Sequence, residues 1–163
     1  MEESNTSLRR ARIVSPEEGI HDAASCERIL RSLPEWFAIE TALRDYAAAT
    51  DVYPTFLACQ DEEVLAFLTL EQHFGTSWEI HCFAVMASQR GRGLGRALLA
   101  TAVRWLTEQG VRDLHVKTLS ATSESAAYAQ TRRFYERAGF RPMMELPAYW
   151  SPENPCLVMI RHL

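Results

Sequence analysis

The sequence contains no run of 18 apolar residues, so a transmembrane helix is not expected. Its first ten residues, MEESNTSLRR, hold no apolar stretch of the kind a secretory signal needs, and residues 1–10 are expected to form a loose arm. No CxxC pair occurs. Cys26, Cys59, Cys82 and Cys156 lie far apart, and three of them sit inside apolar, strand-like runs. Such cysteines read as buried, reduced thiols, not as a disulfide framework or a zinc site, so the expected compartment is the cytoplasm and no metal is expected. An excess of basic residues is also missing: 17 Lys and Arg against 21 Asp and Glu leave a net charge of −4. A nucleic-acid partner held by a broad basic face is therefore not expected, and neither is a membrane partner.

What is present suits one domain, residues 1–163, with one core. Apolar residues make up 47% and charged residues 23%, an ordinary globular balance. Residues 11–14 open as a strand. Residues 25–33 read as a helix with Ile29, Leu30 and Leu33 on one side. After Pro34, Ser32 and Glu35 have the spacing of a capping box, and 36–49 continues as a second amphipathic helix. The period then changes. Residues 55–59, 64–70 and 78–86 are strand-like. Helical spacing returns at Leu94, Ala97, Leu98, Thr101 and Trp105, closed by Gly110. A strand at 114–119, a helix at 125–138, and strands at 140–146 and 156–160 separated by a Pro-rich loop complete the chain. The order β-α-α-β-β-β-α-β-α-β-β predicts a mixed sheet with helices on both faces.

The segment richest in chemistry is Arg90-Gly91-Arg92-Gly93-Leu94-Gly95, between a strand and an amphipathic helix. The first amides of a helix have no internal partner, and the helix dipole adds positive character there. Glycines let the backbone approach an anion, and Arg90, Arg92 and Arg96 can add charge-assisted bonds. A pyrophosphate fits such a cradle. The Walker pattern fails because no lysine lies here. The dinucleotide pattern GxGxxG or GxGxxA fails because Arg96 or Leu98 occupies its last position. Arg-x-x-Gly-x-Gly does fit, at Arg90, Gly93 and Gly95.

That motif resembles the acetyl-CoA-binding motif of the GNAT superfamily of N-acetyltransferases. About forty residues later, Phe134-Tyr135-Glu136-Arg137-Ala138-Gly139-Phe140 is similar to the family's FYxxxGF helix end, with one strand between. The resemblance covers roughly residues 55–161, and the two early helices more loosely. The ending from Tyr149 to Leu157 is similar to a bacterial subgroup of unknown substrate. The resemblance implies an α/β (α+β) GNAT fold: a mixed, mostly antiparallel central sheet of about six to seven strands flanked by about four helices. It implies an N-acetyltransferase that uses acetyl-CoA as co-substrate and acetylates a small-molecule or peptide amine by direct attack through a tetrahedral intermediate. Dimers are common in the family, so a homodimer is compatible with it.

Residue by residue, the resemblance maps the pantetheine-pairing strand onto Phe83, Ala84 and Val85, and the pyrophosphate cradle onto Arg90, Gly91, Arg92, Gly93, Leu94, Gly95 and Arg96. A backbone amide near Val85 would face the thioester carbonyl, a contact often worth ~3 kcal/mol in the transition state. Tyr135 matches the tyrosine that points at the coenzyme sulfur, where a leaving thiolate gains from a proton donor. Where many members carry a coenzyme-contacting Asn, seven residues before that tyrosine, this chain has Tyr128. Glu79 matches, by its spacing from the glycine loop, a general-base glutamate of the histone-acetyltransferase branch. Strand alternation puts Glu79, His81, Phe83 and Val85 on one face. Burial that raised its pKa, or a chain of waters, would let Glu79 take the proton of an ammonium ion; His81 and bulk water are the other candidates. Glu40, Trp36, Phe37, His73, Trp150 and Asn154 are candidate acceptor-pocket residues. A non-catalytic acyl-CoA-binding sensor on the same fold is the alternative function, and a Rossmann-type nucleotide domain a third.

Overall fold

The computed structural model describes residues 10–163. The arm expected at 1–10 lies, apart from Arg10, outside them. Among the described residues the chain forms β1 (Arg12–Val14), α1 (Ala23–Arg31), α2 (Glu40–Ala49), β2 (Thr55–Gln60), β3 (Glu63–Phe74), β4 (Ser77–Val85), α3 (Leu94–Glu108), β5 (Asp113–Leu119), α4 (Ala126–Arg137), β6 (Arg141–Ser151) and β7 (Asn154–His162).

The helix α1 starts where Asp22 accepts the Ser25 amide at 2.9 Å, and it buries Cys26, Ile29 and Leu30 at helical spacing. Ser32 does not open the next helix. It ends α1: its hydroxyl donates to the Ile29 carbonyl at 2.6 Å and accepts the Ala87 amide at 3.1 Å. The expected capping box and the expected helix over 36–49 are both corrected here. Pro34 pushes the residue before it away from helical torsions. The amides of Trp36 and Phe37 both return to the Leu33 carbonyl, at 3.1 and 3.0 Å, and α2 begins only at Glu40. Residues 33–39 are thus a compact strap, free to cover something.

The strands form one sheet in the order β1-β2-β3-β4-β5-β7-β6, and β4 with β5 is the parallel pair in an otherwise antiparallel ladder. The mixed, mostly antiparallel architecture expected from the sequence is the one observed. Each face carries a core. Phe56, Leu68, Leu70, Trp78, Ile80, Leu98, Leu106 and Leu114 lie on the α3–α4 face. Ile29, Leu30, Leu43, Leu57, Phe67, Cys82 and Ala84 lie on the α1–α2 face.

The strand β4 changes sides partway along. Thr69 pairs with Cys82 and the next residue, Leu70, pairs with Ile80, which leaves His81 as the extra residue of a β-bulge. Before the bulge, Trp78 and Ile80 face α3; after it, Phe83 and Val85 do. Glu79 and His81 therefore face away from Phe83 and Val85, and the shared face expected from strict alternation is corrected. A second bulge leaves His73 extra between Gln72 and Phe74.

Near the same point β5 leaves β4. Their pairing ends at Ile80 with Val116, although β4 runs on to Val85 and β5 to Leu119. The other edge of β5 stays paired with β7 as far as Leu119 with Cys156. The sheet is therefore split between β4 and β5. The Met86 amide donates to Leu65 at 2.8 Å on the β3 side, so the amide of Val85, one residue earlier, points to the vacated edge.

The expected Pro-rich loop at the C-terminal end shrinks to a turn at residues 152–153, and the rest is strand. Leu146 pairs with Cys156 and Ser151 with Asn154, so residues 147–150 bulge against a single residue of β7. Among the described residues this strand ends the sheet with no neighbour on its outer side, so proline is tolerated in β6.

The helix that carries Tyr135 is capped by Ser125, whose side chain accepts the Tyr128 amide at 3.3 Å from an extended backbone. Ser125→Ala is expected to lower stability by about 1 kcal/mol in urea unfolding, the usual cost of losing such a cap. An unchanged midpoint would mean that packing alone sets the start of α4.

Candidate active site

Between β4 and α3 the chain makes a short helical turn at Ala87–Gln89 and then the glycine loop. Gly91 and Gly93 hold φ of 77° and 84°, a left-handed conformation that costs glycine little. Gly93 is the N-cap of α3 and offers no capping side chain. The first intrahelical bond is donated by Ala97 to Gly93, at 3.0 Å, so the amides of Leu94, Gly95 and Arg96 have no partner within the helix. A Cβ at Gly91 or Gly93 would meet nothing within 4 Å, whereas one at Gly95 would touch Phe83, Val85 and Phe134 at 3.5–3.6 Å. The glycines therefore do two jobs. Two leave the cradle open and correctly turned, and the third lets α3 close onto β4 and α4.

From this loop a cavity of about 1070 Å³ runs along the split in the sheet. Phe83, Ala84 and Val85 of β4, the whole run Arg90–Arg96, Phe134 and Tyr135 of α4, and Trp36 and Phe37 of the strap line it. The structure thus brings together nearly every coenzyme residue picked from the sequence. Because Ala84 belongs to the α1–α2 core while Phe83 and Val85 pack on the α3–α4 core, the cavity reaches both faces of the sheet.

The strap is tied over this cavity. The Arg90 guanidinium lies 4.4 Å from the centre of the Trp36 ring. The Trp36 indole donates to the Thr131 hydroxyl at 2.9 Å, and the Tyr128 hydroxyl donates to the Trp36 carbonyl at 3.2 Å. Tyr128 is not among the lining residues; it fastens the strap to α4. Arg92 is bonded to Gln89.

Tyr135 is 5% exposed, with its ring edge-on between Phe134 and Phe140. Burial, and secondarily Cys82, pushes its pKa up, so the phenol keeps its proton. Among the described residues its hydroxyl has no protein partner. A protonated, unengaged phenol on a cavity wall is a proton donor in waiting.

The α1–α2 face of β3, β4 and β5 is dense in titratable groups. Glu79, 5% exposed, accepts from Lys117 at 2.7 and 2.9 Å, contacts the His73 Nε2 at 2.6 Å, and lies 3.3 Å from the His115 Nε2. Burial acts to raise its pKa, but His115, Lys117 and His73 outweigh burial and hold the carboxyl at about 2. The upward shift that would help it act as a base is not what this environment produces. Lys117, the one lysine of the chain, loses basicity to burial and regains more from Glu79. The donor atoms of His73, Glu79 and His115 lie within 4.8 Å of one another. The Lys117 ammonium shares that carboxylate, so the four groups form one cluster centred on Glu79. Glu71 pairs opposite Glu79 in register, with its carboxylate 3.3 Å from both the His81 Nδ1 and the Tyr53 hydroxyl.

His115 and Lys117 escaped the sequence reading. Their signal was alternation: Leu114 and Val116 are buried, and His115 and Lys117 share the other face. Pairing of β5 with β4 then brings them to Glu79. Other candidates are placed elsewhere. Glu40 is an exposed carboxylate held by Arg31 and Arg44. Asn154 donates to Ser151 in the β6–β7 turn, and Trp150 is exposed beside Tyr149.

Glu79 also makes a prediction about acid. Its carboxyl sits at about 2 in the folded chain against an ordinary 4.5. The stability this supplies is fully present above the ordinary value and is lost as pH falls toward the folded one. Urea unfolding across that interval should be less pH-dependent for Glu79→Gln than for the wild type. Identical slopes would show that the cluster does not hold the carboxylate.

Comparisons with known proteins agree with this geometry. A family model for the GNAT acetyltransferases matches residues 19–140. A GNAT-family protein from Desulfovibrio desulfuricans superposes with a TM-score of 0.80 at 23% identity, covering 93% of this chain and 98% of that one. The ribosomal-protein-S18-alanine N-acetyltransferase of Escherichia coli superposes with a TM-score of 0.73 at 22% identity, covering 93% of each chain. An aminoglycoside 6′-N-acetyltransferase complexed with coenzyme A gives 0.72 at 18% identity, covering 93% of this chain and 96% of that one. A search among curated proteins found no match. With the family model spanning most of the chain and the glycine loop, split sheet and buried tyrosine all in place, the chain belongs to the GNAT acetyltransferase family and is an acyltransferase.

Proposed function

We propose that the protein transfers the acetyl group of acetyl-CoA to a primary amine, and that residues 1–163 act as one catalytic domain. The observation that carries this reading is the continuous cavity from the free amides of Leu94, Gly95 and Arg96, along the vacated edge of β4, to the Tyr135 hydroxyl. The amides and Arg96 suit the pyrophosphate; Arg90 and Arg92, now on Trp36 and Gln89, can turn to it. The open edge at Phe83, Ala84 and Val85 suits the pantetheine amides, which would extend the sheet where β5 has left it. The Val85 amide, aimed at that edge, is the donor for the thioester carbonyl.

The chemistry follows from these positions. A neutral amine attacks the thioester carbonyl, the tetrahedral intermediate collapses with loss of the thiolate, and Tyr135 supplies the proton that makes the thiol. Glu79 is the charged centre of the acceptor side: it organises His73, His115 and Lys117, and the amine's protons leave through this face. Its lowered pKa favours passage by way of water or a neighbouring imidazole over lasting protonation of the carboxylate itself. By their names, two structural neighbours act on an aminoglycoside and on alanine of ribosomal protein S18. Both acceptors are amines, so the acceptor is proposed as an amine of a small molecule or a peptide.

The test is release of free thiol from acetyl-CoA in a panel of an aminoglycoside, an alanine-terminated peptide and a diamine. Amine-dependent release is expected; tight coenzyme binding without release would make the protein an acyl-CoA sensor. In Tyr135→Phe, kcat is expected to fall about 100-fold at unchanged coenzyme affinity, the scale of losing one general acid. An unchanged kcat, with chemistry rate-limiting, would return Tyr135 to the core.

A further inference from the structure

Resting on the acetyl-transfer reading above, we infer that the Nε2 atom of His81 takes the proton from the acceptor amine, with Glu71 as its positioning carboxylate.

The first ground is occupancy at Glu79. A carboxylate offers about four lone-pair sites. Lys117 engages both oxygens, at 2.7 and 2.9 Å, and the Nε2 atoms of His73 and His115 approach one of them at 2.6 and 3.3 Å. Oε2 thus has three protein groups against its two sites, Oε1 shares the Lys117 ammonium, and the residue is buried. An ammonium ion reaching Glu79 would have to displace one of these partners or sit beside the Lys117 ammonium on Oε1, against its charge.

The second ground is position. The bulge makes His81 the unpaired residue of β4 and turns it onto the α1–α2 face, two residues before Phe83. The cavity opens onto that face beside Phe37. His81 does not itself line the cavity: it stands behind the Phe37 wall, with Phe37 against Tyr46 at 6.0 Å and Tyr46 against His81 at 5.4 Å, so water must carry the proton between them. Along β4 only Cys82 is a titratable group of this face nearer to the strand edge assigned to the thioester, and burial keeps that thiol protonated, which leaves His81 as the nearest base. Its side chain is 25% exposed, so water can reach it.

The third ground is the tautomer. The Glu71 carboxylate lies 3.3 Å from the His81 Nδ1 and can only accept, which favours the imidazole proton on Nδ1 and leaves the lone pair on Nε2. The rings of Tyr46 and Tyr53 stand edge-on to the imidazole, at 5.4 and 5.1 Å, and fix its plane. The charged and titratable groups around it are Tyr46 from α2, Tyr53 from the turn before β2, Glu71 from β3, and Glu79 on its own strand with Lys117 of β5 attached. Burial pushes the Tyr46 phenol up to about 12, and Glu71 raises that of Tyr53, so neither phenol competes as a base.

The protons balance. His81 Nε2 takes one proton from the ammonium ion and passes it to solvent. The freed nitrogen lone pair forms the N–C bond. The zwitterionic intermediate loses a second proton by the same route as the C–S bond breaks, and Tyr135 protonates the departing sulfur. The Tyr135 phenolate recovers a proton from water, leaving one net proton in solution for each ammonium ion acetylated.

The test uses the panel amine with the highest turnover. His81→Gln should lower kcat/KM about 100-fold at neutral pH. The loss should shrink as pH rises and more amine is already neutral, and the acidic limb of the wild-type profile should vanish, all at unchanged acetyl-CoA affinity. Glu71→Gln should lower kcat/KM less than His81→Gln does, because the imidazole stays in place but loses the carboxylate that fixes its tautomer. The His81 ring 15N resonances should report the proton on Nδ1 in the wild type and a weaker preference in that variant, a readout independent of turnover. A wild-type profile in His81→Gln, or an unmoved resonance in Glu71→Gln, overturns the inference while acetyl transfer stands. A wild type with no amine-dependent thiol release overturns both.

Discussion

Everything in this molecule depends on where β5 lets go of β4. A sheet edge opened in the middle of a domain leaves backbone amides and carbonyls unpaired, which is costly unless something else pairs them. Here the opening is held by structure on both sides. The strand β3 continues to pair β4 as far as Val85, and β7 continues to pair β5 as far as Leu119. The α3–α4 core spans the split from one face, and the α1–α2 core covers β4 from the other. The gap is therefore a slot held on both sides. The bulge at His81 belongs to the same event, since the extra residue lets β4 change its twist as β5 departs.

The slot explains the arrangement of the remaining groups. Its phosphate end is backbone: the helix amides of α3 offer positive character with no side chain in front of Gly91 or Gly93. Its middle is roofed by the strap, through Trp36 on Arg90, Thr131 and Tyr128. Two unlike environments lie near its far end. On the α4 side, a buried phenol is kept protonated by its apolar surroundings. On the α1–α2 face, outside the cavity lining, Glu79 and Glu71 are held by Lys117 and by the imidazoles of His73, His115 and His81. A protonated phenol and a carboxylate cluster thus lie on opposite faces of the sheet.

Much of this was legible in the sequence because glycine, proline and periodicity act locally. The cradle at Arg90–Gly95 and the helix that ends at Gly139 were found by spacing alone, and they lie where expected. The failures share a cause: each depended on pairing between distant residues. Alternation along β4 predicted one face for Glu79 and Val85, but a bulge specified by β3 switched it. Pro147 argued for a loop, but it lies in β6, an edge strand, and only Pro152 falls in a turn. Ser32 and Glu35 had capping-box spacing, yet the Ser32 hydroxyl serves α1 and Ala87, 55 residues away. Lys117 and His115 became site residues only through parallel pairing with β4, which nothing in their own segment announces.

The central claim is that coenzyme phosphates rest on the amide cradle of α3 and the acyl arm lies in the slot. The most direct measurement is backbone amide NMR during titration with acetyl-CoA. The account predicts that the largest shifts fall on Gly93, Leu94, Gly95 and Arg96, followed by Phe83 and Val85 on the open edge. Largest shifts around the smaller cavity lined by Arg12, Ile20, Leu57 and Val64, with the cradle amides unmoved, would contradict it.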